Sequence, residues 1–364
     1  EQMGLKAQAE KLQGDILTEQ RIDRGQFGTF VKELVVTRGR VPLSIVRKRS
    51  VKHENTTAAP VLLGHGFGQN RYAWHLPSRS FVNYLADAGF DVFNVDLRGH
   101  GRSRHFGGPR AGHVDDYVTE DLPIAVDEVS RLSGGRRVFL LGHSLGGLVS
   151  YAAAPNIADQ LAGIVSIGSP YHFAKGSFSL GAIAFVFRML EWGRLPSINA
   201  PLILRRVGEV MPQIRPLAES RLYPLPLRGW HKGALEPEVL NEHLRMAFDR
   251  AGLSEMRNMF SWATKKRFVG QHEDHAARFE AMDLPLLVVA GLGPGALAGV
   301  RPPRNIDGVN VLPTLLGGVQ PSLQSRFLYW ETHDGGALAQ AVRWGQWKAV
   351  RYGIHEPLEL YNVI

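Results

Sequence analysis

The feature that most constrains this chain is a glycine-framed segment, GHSLG, at residues 142–146. It follows the apolar run 138–141 and precedes the helical pattern of residues 148–154. A chain that leaves a buried strand and enters a helix within so few residues must turn sharply, and small residues let the strand and the helix approach closely. Ser144 is therefore expected at a strained strand-to-helix turn, beside the positive potential of the helix N-terminus.

The rest of the first 290 residues shows a regular alternation of strands and helices. A β-rich hairpin is predicted at residues 27–49, followed by short apolar strands with helical segments between them. The strands are expected at 60–63, 92–95, 138–141, 164–167 and 284–290, and the helices at 81–88, 114–132 and 148–154. Apolar strands that alternate with helices are typical of a parallel sheet covered on both faces.

A second glycine-rich segment, GHGFG at residues 64–68, follows the strand at 60–63. Acyl transfer needs two backbone N–H donors aimed at the oxygen of the tetrahedral intermediate. We expect Ser144 to be the nucleophile of such a reaction, and these donors to be the N–H groups of Phe67 and of Leu145, the residue after Ser144. His65 invites assignment as a general base, but a histidine that orients the loop is the favoured interpretation.

These two segments, together with DLRGHGRS at residues 96–103, resemble the α/β-hydrolase superfamily of bacterial esterases and lipases over about residues 27–291. The resemblance implies a mostly parallel sheet and hydrolysis of carboxylic esters by a Ser144 nucleophile. In that family the segment beginning at Asp96 is a structural loop, so Asp96 and His100 are not expected in the catalytic triad. The strand-to-helix turn that holds Ser144 is called the nucleophile elbow in this family. Relatives that open epoxides or remove halogens carry Asp at the elbow, and Ser144 therefore disfavours those reactions.

Residues 172–262 interrupt the alternation with a stretch rich in Pro, Arg and bulky apolar residues. An insertion at this place in the family is expected to form a helical lid over the site, and the alternative is a surface elaboration without a gating role. Its aromatic residues would line an acyl pocket, or equally serve ordinary packing; they are Phe173, Phe178, Phe185, Phe187 and Trp192.

The acid and the base of a triad have no recognisable position. The family order is Ser, then Asp or Glu, then His, with the acid usually after the strand ending at Ala290. The sequence there is GLGPG at residues 291–295, with no acid. A less common location for the acid lies just after the strand at 164–167, and no Asp occurs between Asp159 and Asp249, although several Glu do. Two fallback arrangements remain open, and they involve His333 with Asp307 or Asp334, or else His272 or His275.

The composition changes after residue 291, and a domain boundary is predicted between Gly291 and Ala298. Residues 296–364 resemble the C-terminal region of sulfatases, which implies a small antiparallel sheet with a helix near 312–316. The resemblance rests on residues 301–317, 327–331, 340–351 and 357–361. Sulfatase chemistry is not expected, because the chain has no Cys and no Ser two residues before a Pro-x-Arg. A metal site at Asp307, His333 and Asp334 is not expected either.

The predicted organisation is therefore an α/β-hydrolase domain at 1–292 that lacks its usual last strand, joined to a sulfatase-like segment at 296–364 as an apparent fusion or chimera. Three functions compete. The first is a serine hydrolase for small esters with an apolar acyl group. The second is a catalytically impaired α/β-hydrolase-like protein, and the third is a sulfatase-related binding module. The serine hydrolase requires a catalytic acid and a histidine, whereas the catalytically impaired protein would lack them.

Bulk composition narrows the partners. The net charge is +8 and the pI is about 9.7, but the basic clusters are short and scattered, so nucleic acid is not an expected partner. The absence of Cys fits a reducing compartment, and a cytoplasmic location is predicted. Residues 1–20 are polar and predict no secretory leader, and no apolar run is long enough for a transmembrane segment. No cofactor is expected, and the oligomeric state is left open.

Overall fold

A computed structural model gives the fold, and the chain divides into two compact units, Glu1–Gly291 and Leu292–Ile364. The structure describes residues 16–23, 28–53, 59–169, 197–198, 236–249, 251–252, 255, 258, 262, 269–271, 273–289, 328–334, 337–344, 347–351 and 357–362. Most of the predicted lid and the segment 290–327 therefore lie outside the described residues.

One eight-stranded sheet organises the first unit. In chain order its strands are β1 (Ile16–Asp23), β2 (Thr29–Val36), β3 (Ser44–Ser50), β4 (Pro60–Gly64), β5 (Asp91–Asp96), β6 (Val138–His143), β7 (Leu161–Ile167) and β10 (Leu286–Val289). Their spatial order is β1-β2-β3-β5-β4-β6-β7-β10. Two short strands, β8 (Ser197–Ile198) and β9 (Ala251–Gly252), pair antiparallel with each other outside this sheet. The first four neighbours pair antiparallel, and the pairs from β5 through β4, β6 and β7 to β10 are parallel. The expected mostly parallel central sheet is confirmed.

The first three of the helices described in this unit lie where the sequence pattern places them. They are α1 (Phe81–Asp87), α2 (Leu122–Leu132), α3 (Leu145–Ile157), α4 (Pro237–Met246) and α5 (His275–Glu280). The N-terminus of α1 is capped by Ser80, whose hydroxyl accepts the N–H of Asn83 at 3.0 Å. Helix α3 is buried on nearly every side, as expected for a helix that is apolar all round. It forms the centre of the hydrophobic core beneath the sheet.

The structure differs from the sequence pattern at three places in this unit. Strand β1 extends the sheet beyond the predicted hairpin, although its sequence ILTEQRID is polar. The predicted helix at 114–132 begins with a π-helical turn at Tyr117–Asp121 before α2. Helix α3 begins at Leu145 rather than at residue 148, because the three residues that follow Ser144 already have helical geometry.

The second unit contains an antiparallel sheet of four consecutive strands, β11 (Leu328–Asp334), β12 (Ala337–Trp344), β13 (Trp347–Arg351) and β14 (Glu359–Asn362). The apolar run at 341–351 is divided between two strands, since β12 and β13 pair as a hairpin with Trp344 opposite Trp347. Both strands are rich in apolar residues, so the apolar pattern of the sequence does not mark the place where one strand ends and the next begins. Gly345 in the two-residue connection is the available hairpin signal. The predicted helix near 312–316 lies outside the described residues.

Candidate active site

The turn between β6 and α3 holds Ser144 in a strained backbone conformation. Its φ is 50° and its ψ is −112°, and among the described residues it is the one non-glycine with a positive φ. Such a conformation persists only where surrounding contacts hold it. The Ser144 N–H donates to the carbonyl of Ile167 at the end of β7 at 3.0 Å, and its carbonyl accepts the N–H of Leu148 at 3.1 Å. Ser144 is thus held between a neighbouring strand and the first turn of α3.

Close approach of backbones explains the glycines around Ser144. A Cβ at Gly142 would lie 2.3 Å from the backbone nitrogen of Gly147. A Cβ at Gly146 would lie 2.4 Å from the carbonyl oxygen of Gly64, at the end of β4. These neighbours are backbone atoms, which cannot swing aside as a flexible side chain can. The spacing of glycines in the sequence therefore reflects the steric needs of this turn.

The N-terminus of α3 presents backbone donors next to Ser144. No side chain caps it, and Leu145 is the first helical residue. The first N–H groups of a helix have no partner within the helix and carry the positive end of its dipole. The Leu145 N–H therefore has the character that an oxyanion donor requires.

The second expected donor, Phe67, lies in a loop that is held firmly by two side chains. His65 is fully buried and bonds the carbonyl of Gly66 through Nδ1 at 2.9 Å, while its Nε2 accepts the N–H of Leu97 at 3.1 Å. Gln69 accepts the Gly66 N–H through Oε1 at 3.1 Å. Burial lowers the pKa of His65, so its ring is neutral and both nitrogens are occupied by backbone. The orienting role expected for His65 is confirmed.

Asp96 and His100 also have structural roles, as expected. The carboxylate of Asp96 is fully buried and accepts the backbone N–H groups of Arg71 at 2.8 Å and Arg102 at 2.9 Å. His100 bonds the carbonyl of Arg98 through Nδ1 at 3.0 Å, and its ring lies 5.2 Å from that of His65. Both residues stabilise loops beside the elbow through hydrogen bonds to the backbone, as expected for residues outside the catalytic triad.

A polar contact that no sequence motif marks joins the insertion to the loop that carries Phe67. His243 on α4 lies with Nε2 3.5 Å from Nε2 of Gln69, and its ring meets Phe248 edge-on at 5.3 Å. Burial lowers the pKa of His243, and the proximity of His143 lowers it further. Burial also lowers the pKa of His143. No local motif surrounds residue 243, so only the tertiary structure brings it to this loop.

Among the described residues no side chain makes a hydrogen bond with the Ser144 hydroxyl. His275, one of the fallback bases, is buried and bonds Asp115 through Nε2 at 3.0 Å. His272 and Asp307 lie outside the described residues, as do the side chains of His333 and Asp334. The expectation of a missing triad partner therefore stays a prediction.

None of the helices among the residues that the structure describes has the length and apolar character to cross a membrane. Nor do these residues contain a group of three or more His, Asp or Glu side chains arranged to hold a metal ion.

The amino-acid sequence is similar to those of known hydrolases. The family described as serine aminopeptidase, S33 matches residues 55–292. Epoxide hydrolase A of Mycobacterium tuberculosis is 33% identical over 145 residues, which cover 39% of this chain and 40% of that protein. Human gastric triacylglycerol lipase is 30% identical over 120 residues, covering 29% of this chain and 30% of the lipase. The chain thus spans less than half the length of these curated relatives.

Among solved structures, a putative lipase from Sulfolobus solfataricus covers 76% of this chain and 92% of its own, with 14% identity and a TM-score of 0.47. Epoxide hydrolase A from Mycobacterium thermoresistibile covers 76% of this chain and 87% of its own, with 22% identity and a TM-score of 0.41. The family match ends at residue 292, so the resemblance of the C-terminal segment to sulfatases stays a prediction.

Proposed function

Since the chain belongs to the serine aminopeptidase S33 family of α/β-hydrolases, we propose that it cleaves carboxylic esters through nucleophilic attack by Ser144. The observation that carries the proposal is the backbone of Ser144, strained at φ 50° between β6 and α3. Strain of this kind is typical of a residue whose side chain must stand clear of the turn that presents it.

In the proposed reaction the Ser144 hydroxyl attacks the ester carbonyl, whose oxygen becomes negative in the tetrahedral intermediate. The N–H groups of Phe67 and Leu145 donate hydrogen bonds to that oxygen. The intermediate then collapses with loss of the alcohol, and water hydrolyses the acyl-enzyme. Donors fixed before the reaction stabilise the developing charge without the cost of reorganising solvent.

The proposed substrate class rests on the absence of a recognisable general acid and base from the sequence motifs. An amide releases its amine only after protonation by a general acid, a role that the triad histidine performs. A phenolate or an acidic alkoxide leaves without that help, so esters are the substrates that this site suits best. The apolar acyl group and the gating lid are extensions of the proposal that rest on the sequence of residues 172–262.

Epoxide opening is the alternative that the relatives suggest. It requires a nucleophile that is anionic at neutral pH and forms an ester intermediate. Attack by the Ser144 hydroxyl would instead form an ether, which has no carbonyl for water to attack. The serine at the elbow therefore favours carboxylic esters over epoxides.

Catalytic impairment is the second candidate, and the sequence favours it. The segment GLGPG at residues 291–295 supplies no acid at the usual place after Ala290. A protein with the elbow and the oxyanion donors but no base would retain only slow acyl transfer.

A fluorophosphonate probe and p-nitrophenyl butyrate test the proposal together. The probe should modify the peptide that contains Ser144, as read by mass spectrometry, and the ester should release p-nitrophenolate. Ser144→Ala should abolish both signals, whereas Ser130→Ala on α2, outside the elbow, should leave both unchanged. Styrene oxide should not be turned over. Modification elsewhere, or ester release that survives Ser144→Ala, would contradict the proposal.

A further inference from the structure

The end of the insertion is joined to the loop that carries Phe67 by backbone hydrogen bonds. The Asn70 N–H donates to the carbonyl of Ala247 at 2.9 Å, and the Asp249 N–H donates to the carbonyl of Gly68 at 2.7 Å. Between them, Gln69 and Phe248 form an antiparallel bridge. Residues 247–249 thus run beside residues 68–70 as a short two-stranded ribbon, which we call the stem ribbon.

The side chain of Asp249 extends this connection to a second loop. Asp249 is 3% exposed, and its Oδ2 accepts the amide of Asn70 at 3.1 Å and the backbone N–H of Gly101 at 2.7 Å. Its Oδ1 accepts Nη1 of Arg104 at 2.7 Å. One carboxylate therefore fastens the stem ribbon to the loop at 96–104, which also flanks the elbow.

Asn70 completes the arrangement from the other side. Its amide nitrogen donates to the carbonyl of Met246 at 3.0 Å as well as to Asp249, and its Oδ1 accepts the Tyr72 N–H at 2.9 Å. A buried carboxylate that holds three donors is costly to disturb, because each donor left without an acceptor loses its hydrogen bond while still buried.

We infer that Asp249 is a positioning residue that fixes the oxyanion donor Phe67, and this inference rests on the proposed function. Gly68, which accepts the Asp249 N–H, directly follows Phe67 in the chain. Donors must lie within hydrogen-bond distance of the oxyanion, so a displacement of a fraction of an ångström weakens them. Asp249 acts on the reaction through the backbone of Gly68 and Asn70, without touching the substrate.

This inference assigns a role to the insertion that differs from gating. Its stem is part of the oxyanion-loop framework, so a movement of α4 is transmitted to Phe67 through residues 247–249. The sequence motifs at 64–68 and 142–146 alone would leave one side of the loop unsupported.

The test uses the full chain with Asp249→Asn and Asp249→Ala, and Glu242→Gln as the matched control. Glu242 also joins α4 to another loop of the first unit, since its Oε2 accepts the N–H and the hydroxyl of Ser78 at 3.0 and 2.6 Å, but this contact is exposed and lies outside residues 64–70. The rate of fluorophosphonate labelling at Ser144, and kcat and KM for p-nitrophenyl butyrate, are measured well below the unfolding midpoint of every variant. Amide hydrogen exchange of the peptide covering residues 64–70 is followed in parallel.

Asp249→Asn should lower the labelling rate and kcat by about 10- to 100-fold, less than the loss seen when an oxyanion donor is removed outright. KM should change less than twofold, and exchange at residues 64–70 should become faster. Glu242→Gln should change none of these quantities. A labelling rate of Asp249→Asn within twofold of the unaltered protein would overturn the inference, as would an equal loss in Glu242→Gln.

Failure of the proposed function gives a different result. If the unaltered protein is not labelled at Ser144, the proposed function is wrong, and hydrogen exchange alone decides the positioning role. Faster exchange at residues 64–70 in Asp249→Asn but not in Glu242→Gln then supports that role, and unchanged exchange refutes it.

Discussion

The two halves of a serine hydrolase site differ sharply in this molecule. On the nucleophile side, the sequence spacing, the strained backbone of Ser144 and the steric need for Gly142 and Gly146 all agree. On the proton-transfer side, no described residue bonds the Ser144 hydroxyl, and the described strands beyond β10 form a separate antiparallel sheet. The elbow is encoded by a few consecutive residues, whereas a base must be brought from far along the chain. A chain can therefore keep the first and lack the second.

The largest expected effect concerns turnover. With elbow and oxyanion donors but no base, hydrolysis of p-nitrophenyl butyrate should exceed the reaction in water by about 10³- to 10⁴-fold. The turnover number should stay far below the roughly 10 s⁻¹ of a typical enzyme. Initial rates over a range of substrate concentrations measure both quantities. A turnover number near that typical value would break the comparison, because it would require a base on the proton-transfer side.

The second effect tests the nucleophile side. Gly146→Ala would place a Cβ against the carbonyl oxygen of Gly64, and either α3 or β4 would have to move. We expect a loss of stability of about 1–3 kcal/mol from overpacking and loss of labelling at Ser144. Urea unfolding and probe labelling measure the two effects. Gly112→Ala is the matched control, since the nearest atom to its Cβ is 3.8 Å away. Equal behaviour of the two variants would contradict the steric account of the elbow.

The third effect is a pH dependence of the free energy of unfolding, and it originates in the buried side chain of His75. Burial lowers the pKa of His75 to about 3, with help from Lys48, Lys32 and Arg71. In the unfolded chain this histidine takes up a proton near its ordinary pKa of about 6.5. Between these values the unfolded state binds more protons, so stability is lost as the pH falls through this range.

Urea unfolding at pH 7 and pH 5 measures this loss. His75→Gln should reduce the difference between the two pH values by roughly 1–2 kcal/mol. The exposed His105 supplies the control variant His105→Gln, which should leave the difference unchanged. An identical pH dependence in His75→Gln and the unaltered protein would contradict the assignment.

The smallest expected effect concerns the proton-transfer side and tests whether one of three histidines acts as the base for Ser144. His333→Ala and His272→Ala should each change the labelling rate at Ser144 by less than twofold, because neither is predicted to reach the hydroxyl. His275→Gln should also leave the rate unchanged, since its Nε2 is bonded to Asp115. A tenfold loss in any one of them would identify the hidden base and refute the missing-triad prediction.

Local patterns predicted much of the fold, and tertiary pairing explains most of what they missed. The hairpin of β2 and β3, the apolar strands β4 and β6, and the turn at Ser144 each follow from consecutive residues. Strand β1 was missed because an edge strand with a polar sequence is stabilised by its partner rather than by its own pattern.

The contacts of the stem ribbon were missed for a related reason. Asp249 meets Asn70 and Gly101 across long separations in the chain, and nothing in the neighbourhood of residue 249 specifies those partners. The orienting role of His65, in contrast, was predictable, because its partners lie in adjacent loops whose glycine-rich sequences mark them as part of one framework.

The hydrogen bond from the Ser144 N–H to the carbonyl of Ile167 has a consequence for the order of folding. Its acceptor lies at the far end of β7, after the whole of α3, so the strained turn receives this support only when the strand–helix–strand unit has closed. Helix formation takes place on a timescale of about a microsecond or less, whereas a parallel crossover must first close a long loop. During refolding, the helical circular dichroism signal should therefore return before the reactivity proposed for Ser144, and the turn that holds this residue is among the last features of its unit to mature.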